Sequence, residues 1–190
     1  MREHIETESN MRFLFDDEKW SLLIKYDEQT DYKKILNAVH ATKAVDFIGI
    51  LNNEILSLIE VKNFRGHRIE NKPRLGGTDD PLELEVAQKV RDTIAGIIGA
   101  ARNSTHLQEN WTKYNHFLLN RKKIIHVILW LEEDNILLPT VMRTKRERAR
   151  GGTLMQRLRQ NMNWLTPYIF VSNIADNPYS SSLKVEFLPE

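Results

Sequence analysis

Two carboxylates and an ammonium stand inside the most apolar stretch of the chain. Asp46, Glu60 and Lys62 fall within Lys43-Ala-Val-Asp-Phe-Ile-Gly-Ile-Leu-Asn-Asn-Glu-Ile-Leu-Ser-Leu-Ile-Glu-Val-Lys62, where a buried pair of strands would carry Val, Ile or Leu. Buried charges are costly, so they are normally paired or coordinate a metal. Two neighbouring carboxylates repel unless one takes a proton or a cation lies between them. Mg²⁺ suits such a pair, because it accepts one or two carboxylates together with water and phosphate oxygens. The ion can offset charge on a phosphate and generate hydroxide from bound water. An ammonium beside it can orient that water or offset charge developing in the transition state. The chemistry these residue types offer together is metal-assisted hydrolysis.

Two strands must position them, expected over residues 44–51 and 54–62 and linked by Asn52-Asn53, a pair that tolerates the positive φ of a tight turn. Both are apolar at nearly every position, so both faces should be covered. Residues two apart share a face, which groups Glu60 with Lys62 and turns Val61 away. A two-residue turn would set Asp46 opposite Ile59, pointing to the wrong side. A three-residue loop, Asn52-Asn53-Glu54, pairs Leu51 with Ile55 and sets Asp46 opposite Glu60, with Cβ atoms about 4.5–5.5 Å apart. The chemistry therefore requires an odd-length loop or a bulge.

Around this pair the pattern predicts an α/β sandwich. Residues 11–26 suggest an introductory hairpin around an Asp-Asp-Glu-Lys turn. Thr30 is placed to cap a helix with Tyr32, Ile35, Leu36 and Val39 on one face. Residues 63–81 form a long polar excursion, and Arg65, His67 and Arg68 leave directly from Lys62. They are either a plain mobile loop or groups beside the reacting phosphate. A helix is expected over 82–102, with Leu84, Ala87, Val90, Ile94, Ile97, Ile98 and Ala101 on one broad face. Gly96 and Gly99 would allow that helix to pack closely. A strand over 123–131, a basic helix over roughly 139–164 and a strand over 168–172 complete the order. The reading is one domain over 1–190, with its core at about 28–132 and residues 139–190 as an extension.

Composition narrows the chemistry. The 190 residues are 41% hydrophobic and 28% charged, and none is cysteine, which excludes disulfides, thiolate metal sites and cysteine nucleophiles. A metal must then be held by oxygen or imidazole, which favours hard cations. The amino terminus lacks the apolar core of a secretory signal, and no run is long enough to span a membrane. A cytoplasmic protein without a membrane partner is the expectation. The net charge of +1 hides a basic run at 143–150, Arg-Thr-Lys-Arg-Glu-Arg-Ala-Arg, followed by Arg157 and Arg159. It is either a solvated helix face or a set of phosphate contacts. His126 reads as a core histidine, and His40, His106 and His116 show no ligand spacing. Trp111, Trp130 and Trp164 read as core anchors, although an exposed one could stack on a base.

Asp46, thirteen residues, then Glu60-Val61-Lys62 resembles the PD-(D/E)xK nuclease superfamily. The match covers residues 30–100 and includes the apolar residues around each charge, with Val45 where the pattern's proline usually stands. The resemblance implies a restriction-endonuclease-like α/β fold, a mixed sheet flanked by helices. It implies Mg²⁺, or Mn²⁺ as a substitute, held by Asp46, Glu60 and the Val61 carbonyl, with Lys62 assisting the water. The implied activity is hydrolysis of phosphodiester bonds in nucleic acid, DNA before RNA, and many nucleases of this fold work as homodimers. Some members add a side chain from the following helix, where Gln88 is the candidate, or from the preceding one, where Glu28 or Asp31 is. The residues also fit an inactive nuclease-fold module that binds nucleic acid or a protein partner, or a structural ion pair.

Overall fold

Strand alternation sorts the chain into two sheets that share a core. The computed structural model describes residues 3–66, 71, 73–75, 81–134 and 152–189. In it β1 (Glu3–Glu8), β2 (Met11–Asp16) and β8 (Leu183–Phe187) form a three-stranded antiparallel sheet in the order β1-β2-β8. A mixed five-stranded sheet follows the order β3 (Trp20–Lys25), β4 (Phe47–Leu51), β5 (Ile55–Asn63), β6 (Ile124–Glu132) and β7 (Ile169–Ser172). Its first three strands pair antiparallel and its last three parallel. The helices are α1 (Thr30–Ala38), α2 (Leu82–Asn103), α3 (Gln108–Leu119) and α4 (152–162). Parallel strands need a crossover, and α2 with α3 supplies it between β5 and β6.

β4 is buried at every residue, as a strand covered on both faces should be. On one face Ile48, Ile50, Leu56 and Leu58 pack with Val86, Val90 and Ile97 of α2 and with Trp111 and Tyr114 of α3. On the other, Phe47, Ile59, Val61, Ile128 and Trp130 meet Met11, Phe13, Phe15 and Val185 of the smaller sheet. Phe13 lies 5.3 Å from Phe47 and 5.7 Å from Trp130 between ring centroids.

Several local expectations change. Residues 11–26 form two strands but no hairpin, because β2 pairs with β1 and β8 while β3 pairs with β4. The turn closed by Lys19 N–H on the Asp16 carbonyl carries the chain from one sheet to the other. Thr30 is the first residue of α1 rather than its cap, which is Gln29, and Leu36 and Val39 are exposed. The apolar stripe of α2 is turned: Leu84 and Ile98 are exposed, while Val86, Thr93 and Ala100 are buried. A Cβ on Gly96 would lie 2.1 Å from the Tyr26 hydroxyl, so this glycine sets the approach of α2; Gly99 faces open space. The expectations over His67, Arg68 and the basic run 143–150 lie outside the described residues.

Candidate active site

The shape of one turn decides whether the charges meet. The β4–β5 ladder pairs Leu51 with Ile55 and Phe47 with Ile59, so the loop is Asn52-Asn53-Glu54. Asn52 and Asn53 adopt φ of 51° and 54°, a region asparagine tolerates. Asp46 sits one residue beyond the ladder, in a bend. Its N–H donates to the Ile59 carbonyl at 3.1 Å, and its carbonyl accepts from Tyr26 N–H at 2.7 Å. The side chain crosses to β5, where Oδ2 accepts the Val61 N–H at 2.6 Å. Val61 thus meets the site through its amide, while its side chain lies in the opposite, aromatic core.

Helix α2 closes the arrangement from above the sheet. Its position is fixed by Val45 N–H donating to Thr93 Oγ1 at 3.1 Å and Lys43 N–H donating to Asp92 Oδ2 at 3.0 Å. Glu85 and Lys89, one turn apart, then face the strands. Lys89 Nζ lies 2.7 Å from Glu60 Oε1 and 3.8 Å from Asp46 Oδ1. Lys62 Nζ lies 3.0 Å from Glu60 Oε1 and 3.0 Å from Glu85 Oε1. Arg74 holds the other Glu85 oxygen. Glu60 is 0% exposed, and its Oε2 has no hydrogen-bond partner among the described residues.

A second group of acids borders Asp46. Glu8, Asp27 and Asp46 each offer an oxygen within 4.8 Å of the others. Glu8 ends β1 beside the β1–β2 turn, which is pinned over the larger sheet. Lys25 Nζ donates to the Thr7 carbonyl at 3.0 Å and pairs with Glu8 at 3.0 Å, and Asn63 Nδ2 donates to the Ser9 carbonyl at 3.0 Å. Asp27 Oδ1 is buried with no hydrogen-bond partner among the described residues.

The electrostatics favour an added cation. Burial, and then the Glu60 carboxylate, pushes Asp46 up to about 8, against the pull of Lys89 and the Val61 amide. Burial raises Glu60 too, despite Lys89 and Lys62. It raises Asp27, with Glu8 and Glu28 adding to the effect against Lys25 and Lys89. Lys62 keeps its proton, since Glu60 and Glu85 outweigh the burial that would strip it. Glu85 lies below its ordinary value because Lys62 and Arg74 outweigh its own burial. The acids are under-neutralised, and every donor is oxygen, a set that fits a hard divalent cation.

Comparison with family models, curated proteins and solved structures finds no match to this chain.

Asp46, Glu60 and Lys62 come together, but the helical partners differ from those the resemblance implies. Gln88 is exposed, and Lys89 beside it reaches the carboxylates. Glu28 is exposed and pairs with Lys25. Asp31 serves the fold, accepting from Ser104 Oγ at 2.8 Å and Trp111 Nε1 at 3.0 Å. The acids before the motif that border Asp46 are Glu8 and Asp27. Glu85 and Lys89 carried a signal: they are charged residues on the turn-by-turn row that also holds Thr93, inside an otherwise apolar helix face. Arg65 is exposed and stacks over Phe187 at 3.9 Å, and Arg157 Nη1 pairs with Glu83 Oε1 at 3.2 Å. His126 is a structural histidine, bonded to the Tyr179 hydroxyl through Nδ1 at 2.9 Å.

Proposed function

We propose that this chain is a Mg²⁺-dependent nuclease of the PD-(D/E)xK kind, hydrolysing phosphodiester bonds in DNA. The observation that supports it most is the meeting of Asp46, Glu60 and Lys62 beneath α2. The three-residue loop that this chemistry requires is present, and a fully buried Glu60 oxygen has no hydrogen-bond partner among the described residues. Asp46, Glu60 and the Val61 carbonyl are assigned as ligands, with Glu8 and Asp27 as further oxygen donors near Asp46. Mg²⁺ there, or Mn²⁺ in its place, would supply Lewis-acid polarisation of the phosphate and a lowered pKa for its bound water.

The chain's own residues do the positioning. Lys62 remains an ammonium with three N–H donors; Glu60 and Glu85 engage two, which leaves one for the attacking water. Glu85, itself held by Arg74, fixes where that ammonium points. Hydrolysis forms a bond from the water oxygen to phosphorus and breaks one phosphorus–ester oxygen bond, with a proton from the water ending on the departing ester oxygen. Lys62 is well placed to offset the negative charge that builds on phosphorus-bound oxygens.

One observation favours a second reading. Lys89 already lies between Asp46 and Glu60, as it would in a nuclease-fold module that binds nucleic acid or a protein without metal chemistry. Incubation with circular and linear DNA in Mg²⁺ or Mn²⁺ separates the two. The nuclease reading predicts chelator-sensitive cleavage that Lys62→Ala lowers by roughly 100-fold or more while DNA binding persists. Equal cleavage by Lys62→Ala would remove Lys62 from the mechanism. No cleavage, with binding that survives loss of all three charges, would favour the module.

A further inference from the structure

We infer that Lys89 is an internal cation that competes with the divalent metal for Asp46 and Glu60, so that metal binding must displace it. The inference rests on the metal-site reading above. Lys89 Nζ is 2.7 Å from Glu60 Oε1 and 3.8 Å from Asp46 Oδ1, which puts a positive charge between the two carboxylates. Mg²⁺ binds carboxylate oxygens at about 2.0–2.1 Å. An ammonium held at its observed distance from the same oxygen would crowd that ion with like charge, in a site shielded from water. Both cations cannot keep this place.

The backbone of α2 does not offer a way out. Val45 and Lys43 bond it to the strand side through Thr93 and Asp92, so the part free to move is the four-carbon stem of Lys89. Glu85 lies four residues earlier on the same helix, the favourable order for a Glu–Lys pair. It already shares Lys62 and Arg74, so a displaced Lys89 would enter a crowded ion cluster. A phosphate oxygen of a bound polyanion would give it a better partner. Metal and polyanion would then favour each other's binding, since each relieves the cost of moving Lys89.

Lys89 would thus offset part of the acids' charge before metal arrives and hold metal affinity down. A purely structural lysine would support both the fold and the site, so its loss would weaken both. A competitor predicts opposite signs.

Calorimetric titration with Mn²⁺, without nucleic acid, tests this on wild type, Lys89→Met, Lys89→Gln and the surface control Lys113→Met. The expected result is affinity higher by about tenfold or more in both Lys89 variants, within the usual range of site-to-site coupling, and unchanged in the control. In chelator, Lys89→Met should melt below wild type, because it leaves buried carboxylates without their partner. If Lys89→Met fails to fold, Lys89→Gln keeps a donor without the charge. Amine-selective labelling of wild type offers a further check, and Lys89 should label faster when Mn²⁺ is added. Mn²⁺ affinity equal to or below wild type in the variants, or labelling of Lys89 unchanged by Mn²⁺, would overturn the role of Lys89 while leaving the metal site standing. Absence of Mn²⁺ binding in every protein would remove the metal site and this inference with it.

Discussion

The two faces of the five-stranded sheet use the same strands for opposite ends. Alternate residues of β4, β5 and β6 send Phe47, Ile59, Val61 and Trp130 into an aromatic core shared with Phe13 and Phe15. Their neighbours Glu60 and Lys62 turn to the α2 side, where an apolar core gives way to a cluster of charges. One residue along a strand separates a side chain that stabilises from one that must be compensated. The aromatic face fixes the strand positions on which the charged face depends.

The largest effects should break that division of labour. Trp130→Ala removes a 0% exposed anchor and should cost about 3–5 kcal/mol of stability, read by denaturant unfolding, while Mn²⁺ affinity per folded molecule stays unchanged. Lys62→Ala should do the reverse, lowering cleavage by roughly 100–1,000-fold with a smaller change in unfolding. Asp46→Asn keeps an acceptor for the Val61 amide and relieves repulsion with Glu60. It should abolish metal binding yet stabilise the protein in chelator by on the order of 1–3 kcal/mol. A destabilised Asp46→Asn would mean that the ion pairs, not repulsion, dominate the metal-free site. Gly96→Ala drives a methyl into the Tyr26 hydroxyl and should cost about 1–3 kcal/mol; an unchanged melting temperature would show that α2 is free to shift.

The smallest effect sharpens the comparison on the aromatic side. Burial pushes His126 down to about 4, from an ordinary 6.5. The unfolded chain takes up that proton near pH 6.5 and the folded chain only near 4. Its contribution is therefore complete above pH 6.5 and is lost as pH falls through about 4. His126→Gln should flatten the stability profile across that window, and an unaltered slope would remove His126 as its cause.

What the sequence revealed follows the range of the interactions involved. Glu60, Lys62 and the three-residue loop were legible because strand alternation and turn length act over a few residues. Lys89 showed only as a polar break in an apolar helix face, since the rotation of a long helix over a sheet is set by contacts such as Val45 with Thr93 rather than by the helix itself. Gln88, its neighbour, was the wrong side of that rotation. Glu8 was hidden more deeply, because β1 owes its place to β2 and β2 to β8, at the other end of the chain. The same distance explains the mistaken hairpin at 11–26, where adjacency in sequence suggested a pairing that β8 and β4 supplant. Helix α3 left a readable trace in the buried Trp111, Tyr114 and Phe117, spaced three apart, yet lay outside the expected elements.

The nuclease reading requires a cation held by Asp46 and Glu60, which anomalous scattering from Mn²⁺-soaked crystals would locate. It predicts a peak within coordination distance of an oxygen of each carboxylate, with the Lys89 ammonium moved from its place between them. A peak confined to Glu8 and Asp27, or no peak with Lys89 still bridging Asp46 and Glu60, would contradict it.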